Sequence, residues 1–208
     1  MKQSTVVSLP YLLFGAWSLA ALTAVVGGLF GTGTGEPSLA IVAQLAVVVA
    51  GFLLLYRTVP ALRRGVKSLD PALLTSLQSW RILGTLFLFL MALGRLPAVF
   101  AIPAGVGDVL IGLAAPFVAD RLRRGTLSRR AFGSFTALGL LDFAVALCAG
   151  NYVNLHPEVY TGYASMAALP LVIVPALFVP AFSILHLAAW LAPHRQPSGG
   201  ALKAAARA

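Results

Sequence analysis

The sequence predicts an all-α membrane protein, a polytopic bundle of six transmembrane helices with both termini in the cytoplasm. Of its 208 residues, 59% are hydrophobic and 10% are charged, and the mean hydropathy is +0.91. Soluble domains carry about 25% charged residues, so this is a membrane composition. Six apolar stretches have about the 20 residues that a helix needs to cross a hydrocarbon core. The basic residues lie mainly in the loops between those stretches.

The predicted spans form one transmembrane domain, residues 1–193, and we expect the basic tail 194–208 to be disordered. The first span follows Lys2 as a signal peptide would, but its apolar run is longer than a typical signal and five more spans follow. Before the third span, Asp70 and Pro71 are a favoured N-cap and a favoured first helical residue. The six spans are 9–30, 38–56, 72–94, 98–119, 131–150 and 164–192.

The positions of the basic residues predict the orientation of the bundle. With six spans, all but two of the 15 Lys and Arg residues fall on one side, in the loops 57–71 and 120–130 and at the termini. Arg81 lies within a span, and Arg95 lies on the opposite side. Loops rich in lysine and arginine stay in the cytoplasm, so both termini are predicted to be cytoplasmic. The net charge of +9 therefore indicates topology, and no nucleic-acid partner is expected.

Three charged residues lie inside predicted spans: Arg81, Asp108 and Asp142. From the helical rise, each lands about 13–17 Å from the boundary of its span, near the middle of the bilayer. A charge at this depth costs roughly 2.5–3.5 kcal/mol, so it persists where a partner or a polar cavity receives it. A tight turn at 95–97 joins the third and fourth spans. Arg81 and Asp108 are therefore predicted to pair between neighbouring helices.

A polar stripe accompanies Arg81 on the third span. The residues at three- and four-residue spacing, on one face of a helix, are Thr75, Gln78, Arg81 and Thr85. We expect this face to point into the bundle, which makes Gln78 and Thr85 candidate ligand contacts beside the three charges.

Proline and glycine are predicted to break two spans. The candidate hinge residues are Pro103, Gly105 and Gly107 in the fourth span and Pro175 in the sixth. Interrupted spans are typical of transporter binding sites, where the ends of half-helices meet near the midplane. A break in the fourth span would place Asp108 at a helix N-terminus, where a carboxylate is stabilised.

His186 lies near the cytoplasmic end of the sixth span, four residues before Trp190. It is a candidate proton relay, but we prefer to interpret it as an interfacial histidine beside an aromatic anchor. No second histidine falls within a span, so a haem is not predicted. The sequence has no Cys/His cluster at metal spacing and no Gly-x-Ser-x-Gly elbow. We therefore expect no cofactor, no metal site and no catalytic residues.

Two sequence blocks resemble a known group of proteins. They are QSWRILG at Gln78–Gly84 and GRLPAVFAIPAGVGD at Gly94–Asp108. They resemble an uncharacterised family of small bacterial multi-pass (six-helix) integral membrane proteins. The resemblance covers the third and fourth spans and implies a place in the bacterial inner (cytoplasmic) membrane. It brings no established activity.

The buried charges leave two main functions open. The first is a small carrier or permease for a proton, ion or small polar solute, with Arg81 as an anion clamp, Asp108 as its partner and Asp142 as the titrating group. The second is a non-transporting scaffold or partner subunit in which the charges only lock helices together. An enzyme acting on a lipid or quinone is a third hypothesis. Besides membrane lipids and an unknown solute, we expect a homodimer as partner, since six short spans enclose a small vestibule.

Geometry discriminates between the two main functions. Two acids paired with Arg81 and no adjoining void would favour the lock. A cavity that opens onto an unpaired acid would favour the carrier.

Overall fold

The computed structural model describes residues 3–31, 36, 38–160 and 162–193, so the tail 194–208 lies outside the described residues. The described chain is helical and contains no strand, which confirms the all-α class. Its α-helices are α1 (Gln3–Val26), α2 (Leu39–Thr58), α3 (Pro60–Lys67), α4 (Pro71–Ser76), α5 (Thr85–Ala92), α6 (Ala98–Arg123), α7 (Arg129–Leu155) and α8 (Val179–Leu191). Two 3₁₀ segments, Leu77–Gly84 and Tyr163–Ala167, and a π segment, Val174–Phe178, complete the helical structure of these residues.

Six helical stretches of the described chain are long and apolar enough to cross a membrane. Each overlaps one of the predicted spans, so the expected spans are confirmed at this level. The sixth begins later than predicted, because residues 163–167 form a separate 3₁₀ segment. We call the stretches spans 1 to 6; they are Leu9–Val26, Leu39–Thr58, Pro71–Ala92, Ala98–Arg123, Arg129–Leu155 and Val174–Leu191.

The loop predicted between spans 2 and 3 contains a helix, α3. Pro60 occupies its first turn, and Leu62 and Val66 are buried in the bundle, whereas Arg63 and Arg64 are exposed. This amphipathic pattern extends over only eight residues, which is short for a helix recognised by its periodicity. The basic residues that carry the topology signal therefore lie partly on a helix and not on a free loop.

Span 4, formed by α6, is the centre of the packing and contacts both span 3 and α7. Its inward face is built from small residues, of which Ala101, Ala115 and Ala119 are no more than 1% exposed. A Cβ added at Gly112 would lie 2.7 Å from the backbone nitrogen of Ile82. Small residues let membrane helices approach closely. In lipid, helix association depends on the resulting van der Waals contact, because the hydrophobic effect that drives association in water is absent.

The helix break predicted in span 4 is wrong. α6 runs continuously from Ala98 to Arg123 through Pro103, Gly105 and Gly107. Proline is tolerated inside a membrane helix when local adjustment satisfies the freed carbonyl. The glycines serve packing instead, since a Cβ at Gly105 would lie 2.8 Å from Cγ of Leu88.

The interruptions occur in spans 3 and 6. Span 3 changes from α4 to the 3₁₀ segment Leu77–Gly84 and then to α5, and span 6 begins as the π segment that contains Pro175. Segments of this kind inside membrane helices often mark functional sites. The irregular backbone therefore belongs to the span that carries Arg81 and not to the span that carries Asp108.

Two apolar cores lie at opposite ends of the bundle, and the charged residues come between them along spans 3, 4 and 5. The first core joins α3, α4, α6, α7 and α8 through residues that include Leu62, Leu74, Ile111 and Phe132. The second core includes Phe87, Phe100, Val153 and Met166. The three charges therefore occupy the middle of the bundle.

Gly162 and Gly94 provide a matched test of this packing, because both have positive φ, +86° and +67°. A Cβ at Gly162 would lie 2.6 Å from the carbonyl oxygen of Arg95, whereas a Cβ at Gly94 would meet nothing within 4 Å. Both alanine variants incur the left-handed strain of about 1–2 kcal/mol. We expect Gly162→Ala to lower the melting temperature in detergent clearly more than Gly94→Ala. Equal losses would contradict the packing of this turn.

Candidate functional site

The three charged side chains of spans 3, 4 and 5 meet in one cluster. Nε of Arg81 donates a hydrogen bond to Oδ1 of Asp108 at 2.7 Å, and its Nη2 donates to Oδ2 of Asp142. Arg81 itself is 2% exposed. The predicted Arg81–Asp108 pair is present, and Asp142 joins it through a second nitrogen of the guanidinium.

His186 belongs to the same cluster, so its interpretation as an interfacial residue is wrong. It is 2% exposed, and its Nε2 lies 3.2 Å from Nη1 of Arg81. A guanidinium has only donors, so Nε2 is the acceptor and the ring proton of the neutral imidazole lies on Nδ1. Nη1 of Arg81 also donates to the carbonyl oxygen of Gly139 at 3.1 Å.

These contacts occupy almost all of the binding capacity of Arg81. A guanidinium has five N–H donors, and the Asp108, Asp142, Gly139 and His186 contacts engage four of them. The carbon of the guanidinium also lies 3.9 Å from the ring centroid of Phe143, within cation–π range. The guanidinium therefore has little remaining donor capacity to bind an anion, which is the role that the sequence suggested for Arg81.

The 3₁₀ geometry of Leu77–Gly84 decides which residues share the face of Arg81. With three residues per turn, Gln78, Arg81 and Gly84 lie in line, and all three are buried. Nε2 of Gln78 donates to the carbonyl oxygen of Phe182 at 3.1 Å, which joins span 3 to span 6.

Thr85 does not follow the predicted polar stripe. It is exposed, and its hydroxyl donates to the carbonyl oxygen of Ile82 at 2.9 Å. The stripe assumed α-helical spacing, and the 3₁₀ turns preceding Thr85 rotate it away from Arg81.

Three glycines make room for the cluster. Gly84 lies against Asp108, Gly107 against Asp142, and Gly139 against His186, so closely that a Cβ at any of them would overlap its neighbour. Sequence reasoning assigned Gly107 to a hinge and passed over Gly84 and Gly139. The only signal in the sequence was the presence of glycine inside apolar spans, which does not say what approaches it.

A cavity of about 600 Å³ adjoins the cluster. Its inner end is formed by Arg81, Gly84 and Asp108, and its walls come from spans 3, 5 and 6. Its wall residues Trp80, Phe89 and Phe178 are 64%, 60% and 41% exposed on the outer surface of the bundle. The cavity therefore opens sideways between spans 3 and 6, where a membrane protein meets lipid.

The two acids differ in their access to this cavity. Asp108 lines it and its side chain is 15% exposed, whereas Asp142 is not among the described residues that line it. The sequence assigned the titrating role to Asp142, but the geometry makes Asp108 the acid that a solute would meet. If both carboxylates are ionised, the cluster carries one more negative than positive charge. Asp108 is accordingly the acid of the cluster that the cavity reaches.

The chain belongs to the family described as Domain of unknown function (DUF8737), whose model matches residues 38–192. The match includes spans 2 to 6 and every residue of the charged cluster. No curated protein and no solved structure matches the chain. The family description assigns no activity, so the function must be argued from the site itself.

Substitution of Gly107 tests the geometry of the cluster. A Cβ at Gly107 would occupy the place of the Asp142 carboxylate. We expect Gly107→Ala to destabilise the protein in detergent by about 1–3 kcal/mol, the usual cost of overpacking a tight site. Gly51 is the matched control, because it also lies within a span and a Cβ there would meet nothing within 4 Å. Gly51→Ala should leave the stability unchanged or raise it, and a similar loss in both variants would contradict the close contact at Gly107.

Proposed function

We propose that this protein is a small membrane carrier or permease whose solute site is the inner end of the lateral cavity, at Asp108. One observation supports this above the others: a cavity of about 600 Å³ reaches the buried Arg81 and the partly exposed Asp108 midway along their spans. A charged residue at this depth that is accessible from a cavity is typical of ion and proton pathways.

In this proposal the residues of the cluster have different roles. Asp108 binds the proton, ion or polar solute, and Arg81 is the fixed countercharge that holds Asp108 and Asp142 in place. Gln78 attaches span 3 to the interrupted span 6, where Pro175 is a candidate hinge. His186 accepts from Arg81 and is a candidate for passing a proton onward.

The membrane location and the orientation of the protein are also part of the proposal. The positive-inside rule places the loops 57–71 and 120–130 in the cytoplasm, together with both termini. The resemblance in spans 3 and 4 favours the bacterial inner membrane. We propose no nucleic-acid partner and retain the homodimer as an expectation.

Proton flux into liposomes tests the carrier. With a pH-sensitive dye inside the vesicles and a pH gradient across them, the wild-type protein should accelerate equilibration and Asp108→Asn should abolish that acceleration. Asp120→Asn is the matched control, because Asp120 lies on the same helix but is exposed and pairs with Arg124 at 2.9 Å. Flux that survives in Asp108→Asn would remove Asp108 from the pathway, and no flux with wild-type protein would exclude a proton carrier. Asp142→Asn run in parallel separates the two acids: an unchanged pH dependence would remove Asp142 from the titrating role.

A second candidate function is a non-transporting scaffold or partner subunit. It is favoured by a specific observation: Arg81 on span 3 hydrogen-bonds groups on spans 4, 5 and 6 at once. Such a cluster holds the helices in one register, whether or not anything is transported.

Paired neutralisation measures the strength of this lock. Arg81→Gln should lower the free energy of unfolding in detergent by about 3–5 kcal/mol, since it leaves buried carboxylates without their countercharge. Adding Asp108→Asn should recover much of the loss, because the second substitution removes one of those charges. Additive losses would show that the two residues are not energetically coupled. A strongly coupled pair together with absent flux would favour the scaffold over the carrier.

A further inference from the structure

The lateral cavity opens on an apolar part of the outer surface of the bundle. Its outer wall residues Trp80, Leu83 and Phe178 are exposed and apolar, and they belong to the surfaces of spans 3 and 6. A water-soluble ion would have to cross hydrocarbon to reach this opening. A molecule that is soluble in the membrane therefore fits this opening better than a water-soluble ion does.

The walls of the cavity are rich in aromatic rings. The aromatic lining residues are Trp80, Phe87, Phe89, Phe143, Phe178 and Phe182. The face of an aromatic ring attracts a cation, and the attraction is stronger where water is excluded. Phe143 already shows this preference, since it lies beneath the guanidinium of Arg81.

The charge at the inner end of the cavity also favours a cation. Two carboxylates share one guanidinium, and the neutral His186 adds no charge. Oδ1 of Asp108 accepts from Arg81, while its Oδ2, which lies beside the lining residue Gly84, accepts no hydrogen bond from the described residues. An anion would meet this free carboxylate oxygen and an arginine whose donors are engaged.

The volume sets the size of the occupant. Ligand pockets are typically about 300–1,000 Å³, and this cavity of about 600 Å³ falls within that range. It is much larger than a proton or a metal ion requires. The walls can therefore surround apolar substituents while the charge of the ligand reaches Asp108.

We propose that the cavity binds a membrane-soluble organic cation, an ammonium or phosphonium with bulky apolar substituents, whose charge pairs with Asp108 between the aromatic walls. This inference rests on the proposed function, because it names the solute class of the same site.

Two probes of matched shape and opposite charge test it: tetraphenylphosphonium and tetraphenylborate. Binding of each to the purified full chain in detergent is measured by equilibrium dialysis, with protein-free micelles as the blank. We expect the phosphonium to bind at least about tenfold more tightly than the borate. Equal binding, or tighter binding of the borate, would overturn the proposal.

Two variants locate the site. Asp108→Asn keeps an oxygen that can accept from Arg81 but removes the charge, so phosphonium binding should weaken at least about tenfold. Thr85→Trp narrows the cavity from an exposed position of its wall and should weaken phosphonium binding at least about tenfold, which tests the site independently of whether Asp108→Asn folds. Asp120→Asn is the control and should bind as the wild type does. Phosphonium binding that is unchanged in Thr85→Trp or in a folded Asp108→Asn would place the ligand elsewhere and overturn the assignment.

The result of the probe-binding experiment can be distinguished from that of the liposome experiment. If phosphonium binding depends on Asp108 but the protein shows no proton flux, the cation site is supported and the proton-carrier hypothesis fails. If proton flux depends on Asp108 but the protein binds the two probes equally, the cation site is overturned and the carrier hypothesis is retained.

Discussion

The burial of one guanidinium constrains the rest of this structure. Arg81 is 2% exposed in the middle of span 3, where an unpaired charge would be very costly. Each of the spans packed around it provides a partner: Asp108 from span 4, Asp142 and the Gly139 carbonyl from span 5, and His186 from span 6. The relative positions of these four spans are thus linked to the hydrogen bonds of a single side chain. Helix packing and electrostatics cannot be considered separately here.

The charged cluster also depends on close packing of the helices. The cluster fits because Gly84, Gly107 and Gly139 leave space for the side chains of the neighbouring spans. In a membrane the apolar faces of helices gain little from leaving lipid, so association depends on small residues and interhelical hydrogen bonds. Here the small residues and the interhelical hydrogen bonds occur at the same level of the bundle. The glycines and the charges therefore form one structural unit.

A lock and a binding site are compatible in this cluster. Four of the five donors of Arg81 are engaged by its partners, as a structural lock requires, yet two carboxylates for one guanidinium leave an uncompensated charge when both are ionised. The cavity with aromatic walls reaches this cluster at Asp108. Because Arg81 holds only Oδ1 of Asp108, the same contact that fixes this carboxylate leaves its second oxygen available. The lock thus positions the group that a solute would meet.

Features that depend on local composition and length can be predicted from the amino-acid sequence. The all-α class and the six apolar spans follow from runs of apolar residues, and the Arg81–Asp108 pair follows from matching depth on adjacent helices. Three features could not be predicted without the folded structure: the 3₁₀ segment around Arg81, the continuity of α6 through Pro103 and the place of His186 in the cluster. Each of these depends on which helix faces which, and at what rotation, across residues far apart in the chain. Apolar periodicity carries little of that information in a membrane, because the lipid-facing and the buried surfaces of a helix are both apolar.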